Sequence, residues 1–374
     1  MATYDIQTKF LPHGHKVFVL HPGFRKRQFD VFKTRSSVFL EIPGFVPSES
    51  TFQSDSEIAR RIRLSREVEK YIFSDEDGVE NPVRDPNRYS GSPSDSISSA
   101  MHNVITLFRD ARPGDLVLCP GSGPFSPVLC GELVKEVDHD DVMPVEYFSS
   151  ELLPFRPVNW VNRNIRRVDF GHLFAKRLAN RRAIIEISDN FLKSEIYKRV
   201  YSNYVTTDNA KITIYGSQYD SKDPSGVVDA INIVRYLAAG FVAREQGRLN
   251  EFASLEMDEA IEMFVTQDHV LDFAIQFTSP GKITLITFAY LMAISVGIGV
   301  GVLTDSNITF DEIRRGVSII NSNSTNDQVR SLELGNSIAE IVDAIGPSKT
   351  ERLQRRAQKS KQKIGFRSDV VRRD

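Results

Sequence analysis

The sequence has only two cysteines, Cys119 and Cys130, and a single tryptophan, Trp160, in 374 residues. It has no Cys-x-x-Cys and no pair of histidines at helical spacing, so no metal site is expected and no cofactor is implied. Each cysteine sits in an apolar, strand-like run. Their separation could bring two neighbouring strands together, but buried thiols are expected rather than a disulfide. The N-terminus lacks an apolar core between a basic start and a small-residue cleavage site, so no secretory leader is expected and the location is read as cytoplasmic. Net charge is also small, −2, on a chain that is 41% hydrophobic and 26% charged, as in an ordinary globular protein with room for two or three domains.

The small net charge hides an asymmetry. Residues 156–182 carry eight Lys/Arg against one acid, Asp169, and residues 349–374 carry ten against three. Local basic patches on a near-neutral chain point to a directed polyanion contact, although basic ends are also ordinary solubilising segments. Between these patches the elements are short. Lys16–Leu20 and Ser37–Ile42 are strand-like, each stopped by a Pro-Gly pair. A charged helix capped at Asp55 follows, then the long loop Ser74–Ser94. A helix starting at Asp95 presents Ile97, Met101, Val104, Ile105 and Phe108 on one face. Arg112-Pro-Gly-Asp115 then launches an apolar strand, Gly131-Glu132 breaks a second, and a third alternates Arg156, Val158 and Trp160 before Asn162–Arg167. A helix over Asp169–Asn180 closes this half. The order predicts an α+β domain built on a small bent β-barrel over 1–187. A mainly helical domain over 188–348 and a basic tail over 349–374 complete the chain.

Ile283–Leu303 is 21 residues without a charge, long enough to cross a bilayer. It is read either as a helix buried on every side or as a membrane-inserting segment. The Gly297-x-Gly299-x-Gly301 alternation favours burial, because it looks like a helix end running into extended chain.

Candidates for chemistry are few. Asp220 and Lys222 form an Asp-x-Lys after a strand, the spacing with which nucleases hold a divalent metal, with Asp208 or Asp189 as the upstream acid; the same residues also suit a solvated turn. Gly121-Ser-Gly123 lacks the Lys-Ser/Thr of a phosphate loop and is read as a hairpin. His139-Asp-Asp141 is read as a solvated turn. The aromatic groups offer more. Trp160, Tyr147 and Phe125 fall in the barrel segments beside Arg156, Arg163, Arg166 and Arg167, and rings beside arginines can stack a base and neutralise phosphate. For Trp160, core packing and a pocket wall are both open.

The succession from Lys16-Val-Phe-Val-Leu20 through Arg112-Pro-Gly-Asp115 and Gly131-Glu132 to Arg156-Pro-Val-Asn-Trp160 and Ile165-Arg-Arg167 resembles the N-terminal sensor module of prokaryotic restriction and phage-defence proteins, similar to EVE/PUA-like barrels. It covers about half of the chain. The resemblance implies a DNA-binding sensor, with a modified or flipped base as a candidate ligand, and an anti-phage role without a catalytic set. The helical half would act as effector or oligomerisation domain, with a second defence-system protein or further copies of the chain as partners. Departures from the pattern are the Pro43-Gly44 stop, the long loop 74–94 and the acidic link 135–153, which would repel phosphate. The alternatives are a membrane-disrupting effector using Ile283–Leu303 and a metal-dependent nuclease.

Overall fold

The computed structural model describes residues 2–74, 80–91, 94–171, 174, 182–207, 209–216, 225–266, 270–276, 281–287, 290–322 and 328–373. Two compact units emerge, Gly14–Val200 and Met1–His13 with Tyr201–Asp374. The boundary expected at 187 therefore lies at 200. The helix Asn190–Val200 is tied back to the first unit by Tyr197, whose hydroxyl meets His15 Nδ1 at 2.7 Å, and by Lys193, which donates to the His15 carbonyl at 3.0 Å.

Strands β1 (Thr3–Asp5) and β2 (Lys9–Phe10) open the chain. The Gly14–Val200 unit then builds one sheet from β3 (Val17–Leu20), β4 (Ser37–Phe39), β5 (Leu116–Pro120), β6 (Pro127–Leu133), β7 (Val142–Val145), β8 (Glu151–Arg166) and β9 (Ile184–Glu186). Its order is β4-β8-β6-β5-β3-β9, with β7 against β8. The pair β3–β5 is parallel, whereas β5–β6 and β6–β8 are antiparallel. At 16 residues, β8 serves β7, β4 and β6 in turn. Register breaks at Val128/Cys130 and Cys130/Gly131 bend the β6–β8 pair, and the sheet curls into a half-barrel. This unit is α+β, as expected.

Helices Asp55–Phe73 and Asp95–Ile105 bury Ile58, Ile62, Ile97 and Val104 in the same core as Phe18, Val117, Leu129 and Val158. The first starts one residue earlier than a cap at Asp55 implies, and the second starts at Asp95 as expected. The caps are Ser54 and Ser94, whose hydroxyls accept from Glu57 N and Ile97 N. Asp55 and Asp95 sit in the first turn, where a carboxylate favours the helix dipole. Cys119 and Cys130 are both buried free thiols, their ionisation pushed up by burial.

The second unit has more helix than strand, but its strands form sheets that the helical expectation did not include. Besides helices Ser225–Glu245, Tyr290–Thr304 and Gln328–Ile364 it holds β10 (Tyr204–Val205), β11 (Ala210–Gly216), β12 (Val270–Gln276), β13 (Gly281–Thr287), β14 (Ser318–Ile320), β15 (Phe366–Ser368) and β16 (Val371–Arg373). They form a three-stranded sheet, β14-β1-β16, and a six-stranded one, β12-β13-β11-β10-β2 with β15 on β11. The uncharged run 283–303 is thus divided between β13 and the 15-residue helix Tyr290–Thr304, too short to span a bilayer. Its glycines do not end the helix. They let it lie close to its neighbours: a Cβ on Gly297 would meet Ile212 Cδ1 at 2.5 Å, and one on Gly299 would meet Leu237 Cδ1 at 2.9 Å. Among the described residues one helix, Ser225–Glu245, is long and apolar enough to cross a membrane, and 72% of its apolar window is buried within the fold.

Residues 349–373 are not a tail. They continue the Gln328–Ile364 helix and supply β15 and β16. Lys349 donates to the Ala253 and Leu255 carbonyls, Lys361 to Thr304 O, Arg372 pairs with Asp305 at 3.0 Å, and Arg373 with Asp5 at 2.9 Å. Several cations of this stretch are therefore engaged inside its own unit, two of them in ion pairs.

Asp5 is fully buried and accepts from Ser322 N, Gln7 N and Arg373. Burial alone would raise its carboxyl, but these hydrogen bonds more than offset it and hold Asp5 below its usual range. Asp305 is lowered in the same way, by Asn307 N, Arg372 and Tyr4. A depressed folded pKa contributes stability that is complete above the unfolded value and is lost as pH falls through the folded one. The second unit should therefore lose urea resistance below about pH 4, the unfolded aspartate value. In Asp5→Asn that acid slope should flatten, and an unchanged slope across pH 2–6 would remove Asp5 from the account.

Candidate functional site

β3 and β5 run parallel, so both deliver their C-terminal ends to one edge of the half-barrel. β3 leads into Pro22–Gln28. This loop is sharply folded: Gly23 has φ 69°, and Arg25 and Lys26 lie in the left-handed region at φ 52° and 64°. Such backbone persists in non-glycine residues only where the surroundings enforce it. Here the enforcing group is Glu41. Its carboxylate accepts from Phe24 N at 3.0 Å, from Arg27 Nε at 2.6 Å and from Gln28 Nε2 at 3.3 Å. It also fills the space a Cβ on Gly23 would need, coming within 2.0 Å of that position.

The pegged loop presents different groups on its two sides. On one, the Arg27 guanidinium lies 3.9 Å over the Tyr147 ring, which is half exposed and packs beside Phe73 and Phe148. On the other, Lys26 Nζ is hydrogen-bonded to His21 Nδ1. Burial, then the nearby Arg167 charge, push the Lys26 ammonium down to about 8, against a smaller opposite pull from Cys119. Two cations are thus held within electrostatic reach of each other at the edge of a sheet.

β5 ends in the hairpin 121–126, as the glycines predicted: Gly121 N donates to Pro127 O at 3.0 Å, and Gly123 N to Ser126 Oγ at 2.9 Å. The hairpin is bonded to the end of β8, because Arg167 N donates to Ser126 O and Val168 N to Pro124 O. Phe125 at its tip is 74% exposed, and Phe24 on the loop is 65% exposed. Arg166 is exposed and paired with Asp169 at 3.0 Å, which holds that carboxyl below its usual range. The edge therefore combines Phe24, Arg25, Lys26, Phe125, Arg166 and Arg167 from three segments.

The residues singled out from sequence fall into three groups. Phe125, Arg166, Arg167 and Tyr147 are brought around the 22–28 loop. Arg163 is exposed further back on β8, and Trp160 is half-buried opposite Gly131 in the same strand, packed on the core with its indole nitrogen buried and without a hydrogen-bond partner. Arg156 is a correction: it is wholly buried, donates to the carbonyls of Leu107 at 2.8 Å, Ala111 at 3.1 Å and Lys135 at 2.8 Å, and cannot meet a phosphate in solvent. Asp220, Lys222 and Asp208, and most of the helix expected over 169–180, lie outside the described residues. Asp189 accepts from Leu192 N at 3.0 Å as the cap of helix Asn190–Val200.

Sequence reading missed Phe24, Arg25, Lys26 and His21. The signal was present, since Pro22-Gly-Phe-Arg-Lys-Arg27 is a basic-aromatic turn directly after a strand, but it was taken only as a stop. In the acidic link, Asp138, His139 and Asp140 bring their ligand atoms within 4.8 Å of one another, and Lys135 pairs with Asp141 at 2.9 Å. Compared with models of protein families, with curated proteins and with solved structures, the chain gives no match.

Proposed function

We propose that the Gly14–Val200 unit binds nucleic acid along this edge, as a sensor domain of the EVE/PUA-like kind in an anti-phage defence protein. The observation that carries the reading is the pressing together of Lys26 and Arg167 beside two largely exposed phenylalanines. Cations gathered beside exposed rings suit a polyanion that also carries flat aromatic groups. A strand of nucleic acid satisfies both, since phosphates neutralise the cations and bases stack on the rings. In this arrangement Arg25, Lys26, Arg166 and Arg167 meet phosphate, and Phe24 and Phe125 offer stacking faces. The Tyr201–Asp374 unit, with Met1–His13, is then the effector or assembly part, acting on a partner protein or on further copies of the chain.

Fluorescence anisotropy on labelled single strands, duplexes and base-modified duplexes across a salt series tests this. Binding should weaken linearly in log–log form with salt, and Arg166→Ala/Arg167→Ala should lower the slope by about 2 while weakening all sequences alike. Phe24→Ala and Phe125→Ala should each cost single-strand binding about 1–3 kcal/mol with little change in slope. Absence of binding to every probe at low salt would overturn the proposal.

A further inference from the structure

We propose that Lys26 is a nucleophilic amine, positioned by His21 and Arg167 to condense with a sugar aldehyde that carries a neighbouring phosphate, as in the ring-opened sugar of a baseless nucleotide. This rests on the nucleic-acid reading of the same edge. Lys26 differs from an ordinary surface lysine in three ways that do not depend on one another. Its backbone is fixed in the left-handed region within a loop pegged by Glu41, so the amine is held at the edge rather than swinging in solvent. Its Nζ shares a hydrogen bond with the imidazole Nδ1 of His21, a group able to take up and return a proton. Arg167 stands near enough to act on its charge, and an amine that is desolvated or set beside another cation is the kind that forms imines.

Three segments act on the amine: the end of β3 through the hydrogen bond to His21, the end of β8 through the Arg167 charge, and β5 through a smaller opposite effect of Cys119. With its ammonium lowered to about 8, roughly a tenth of Lys26 is free base at pH 7, against less than a thousandth for an unperturbed lysine. Arg167 has a second use, because a phosphate it binds would bring the adjacent sugar carbon to the amine.

The step balances without an oxidant or a reductant. His21 takes the ammonium proton, and the Nζ lone pair adds to the aldehyde carbon to give a carbinolamine. His21 then returns the proton to the departing hydroxyl, water leaves, and a carbon–nitrogen double bond remains between Lys26 and the sugar.

Borohydride reduction fixes such an imine as a stable amine, so full-length protein is mixed with an oligonucleotide bearing one baseless site, reduced, and resolved by denaturing gel and peptide mass spectrometry. In parallel arms the protein meets glyceraldehyde 3-phosphate, a free phosphate-bearing aldehyde, and the intact oligonucleotide is used for anisotropy. The expected result is a borohydride-dependent adduct on Lys26 with the baseless strand. It should be at least tenfold weaker in Lys26→Arg, which keeps the cation but removes the amine, and weaker in His21→Gln; circular dichroism melts confirm that both variants fold. An adduct that persists in Lys26→Arg overturns the proposal. So does the lack of any adduct while the intact strand binds, which leaves the binding reading standing. An adduct on Lys26 with glyceraldehyde 3-phosphate alone, with no binding of the intact strand, supports the reactive amine and overturns its placement in a nucleic-acid site.

Discussion

Arg156→Ala should destabilise the Gly14–Val200 unit by about 3–5 kcal/mol, the usual cost of removing one member of a buried polar set. The reason lies in the turn that ends helix Asp95–Ile105. Residues Thr106–Asp110 make a wide, π-type turn in which Ala111 N reaches back to Thr106 O rather than to Leu107 O. The Leu107 carbonyl is thereby left for Arg156, which also holds the Ala111 and Lys135 carbonyls. Alanine at this position strands two buried acceptors and a part-buried one, and opens a cavity. Lysine, a single ammonium without the guanidinium fork, should recover only part of the loss. For a unit of this size the melting temperature should fall by about 8–16 °C. The nucleic-acid salt slope of the folded fraction should stay as in the parent, whereas Arg166→Ala/Arg167→Ala should do the reverse. A loss below about 1 kcal/mol in urea titration would mean that water takes over the three carbonyls without penalty.

Gly131→Val should cost about 2–4 kcal/mol, by forcing apart the longest strand pair of the half-barrel. Gly131 opposes Trp160 where β6 is out of register, and a Cβ there would lie 2.4 Å from Val158 Cγ1, 2.6 Å from Trp160 Cε3 and 2.9 Å from Asn159 O. Two of these atoms belong to side chains that pack on the core and the third to backbone, so no flexible tip can give way. Even alanine requires β6 or β8 to shift. Trp160 is the only tryptophan, so its emission reports the change directly: a red shift together with the lower melting temperature is expected. A valine variant with unaltered emission and melting would show that the strands separate here at no cost.

The sequence was most informative where one local rule governed the outcome. Buried strands such as Val17–Leu20 and Leu116–Pro120, the Gly121–Ser126 hairpin and the amphipathic helices all declared themselves through periodicity and turn residues. Arg156 was misjudged although its own alternation with Val158 and Trp160 placed it on the inner face, because an arginine is weighed by its charge before its register. Burial of the helical part of the run 283–303 was legible, but its division was not, because uninterrupted hydrophobicity does not distinguish a strand followed by a buried helix from one long helix. The convergence of Lys26, Arg167 and Phe125 was out of reach, since it depends on a parallel pairing between strands almost a hundred residues apart in sequence. The same holds for residues 349–373, whose basic composition says nothing about the acids that await them on β1 and at Asp305.

The pairing of Thr3–Asp5 with Val371–Arg373 sets an order in time. On the ribosome Thr3–Asp5 emerges before the partner that completes its sheet, which follows roughly twenty seconds to more than a minute later at ordinary elongation rates. Meanwhile residues 14–200 have everything needed for their own core. The chain leaves the second unit and re-enters it side by side, with Lys9 opposite Tyr204 and Leu11 N bonded to Val205 O at 2.8 Å. A nascent chain in which 14–200 has already folded has its two flanking segments brought near each other, so much of the entropy of closing that long loop is lost in an earlier, independent event. The edge proposed to bind nucleic acid would then be complete before residues 201–374 have been synthesised in full.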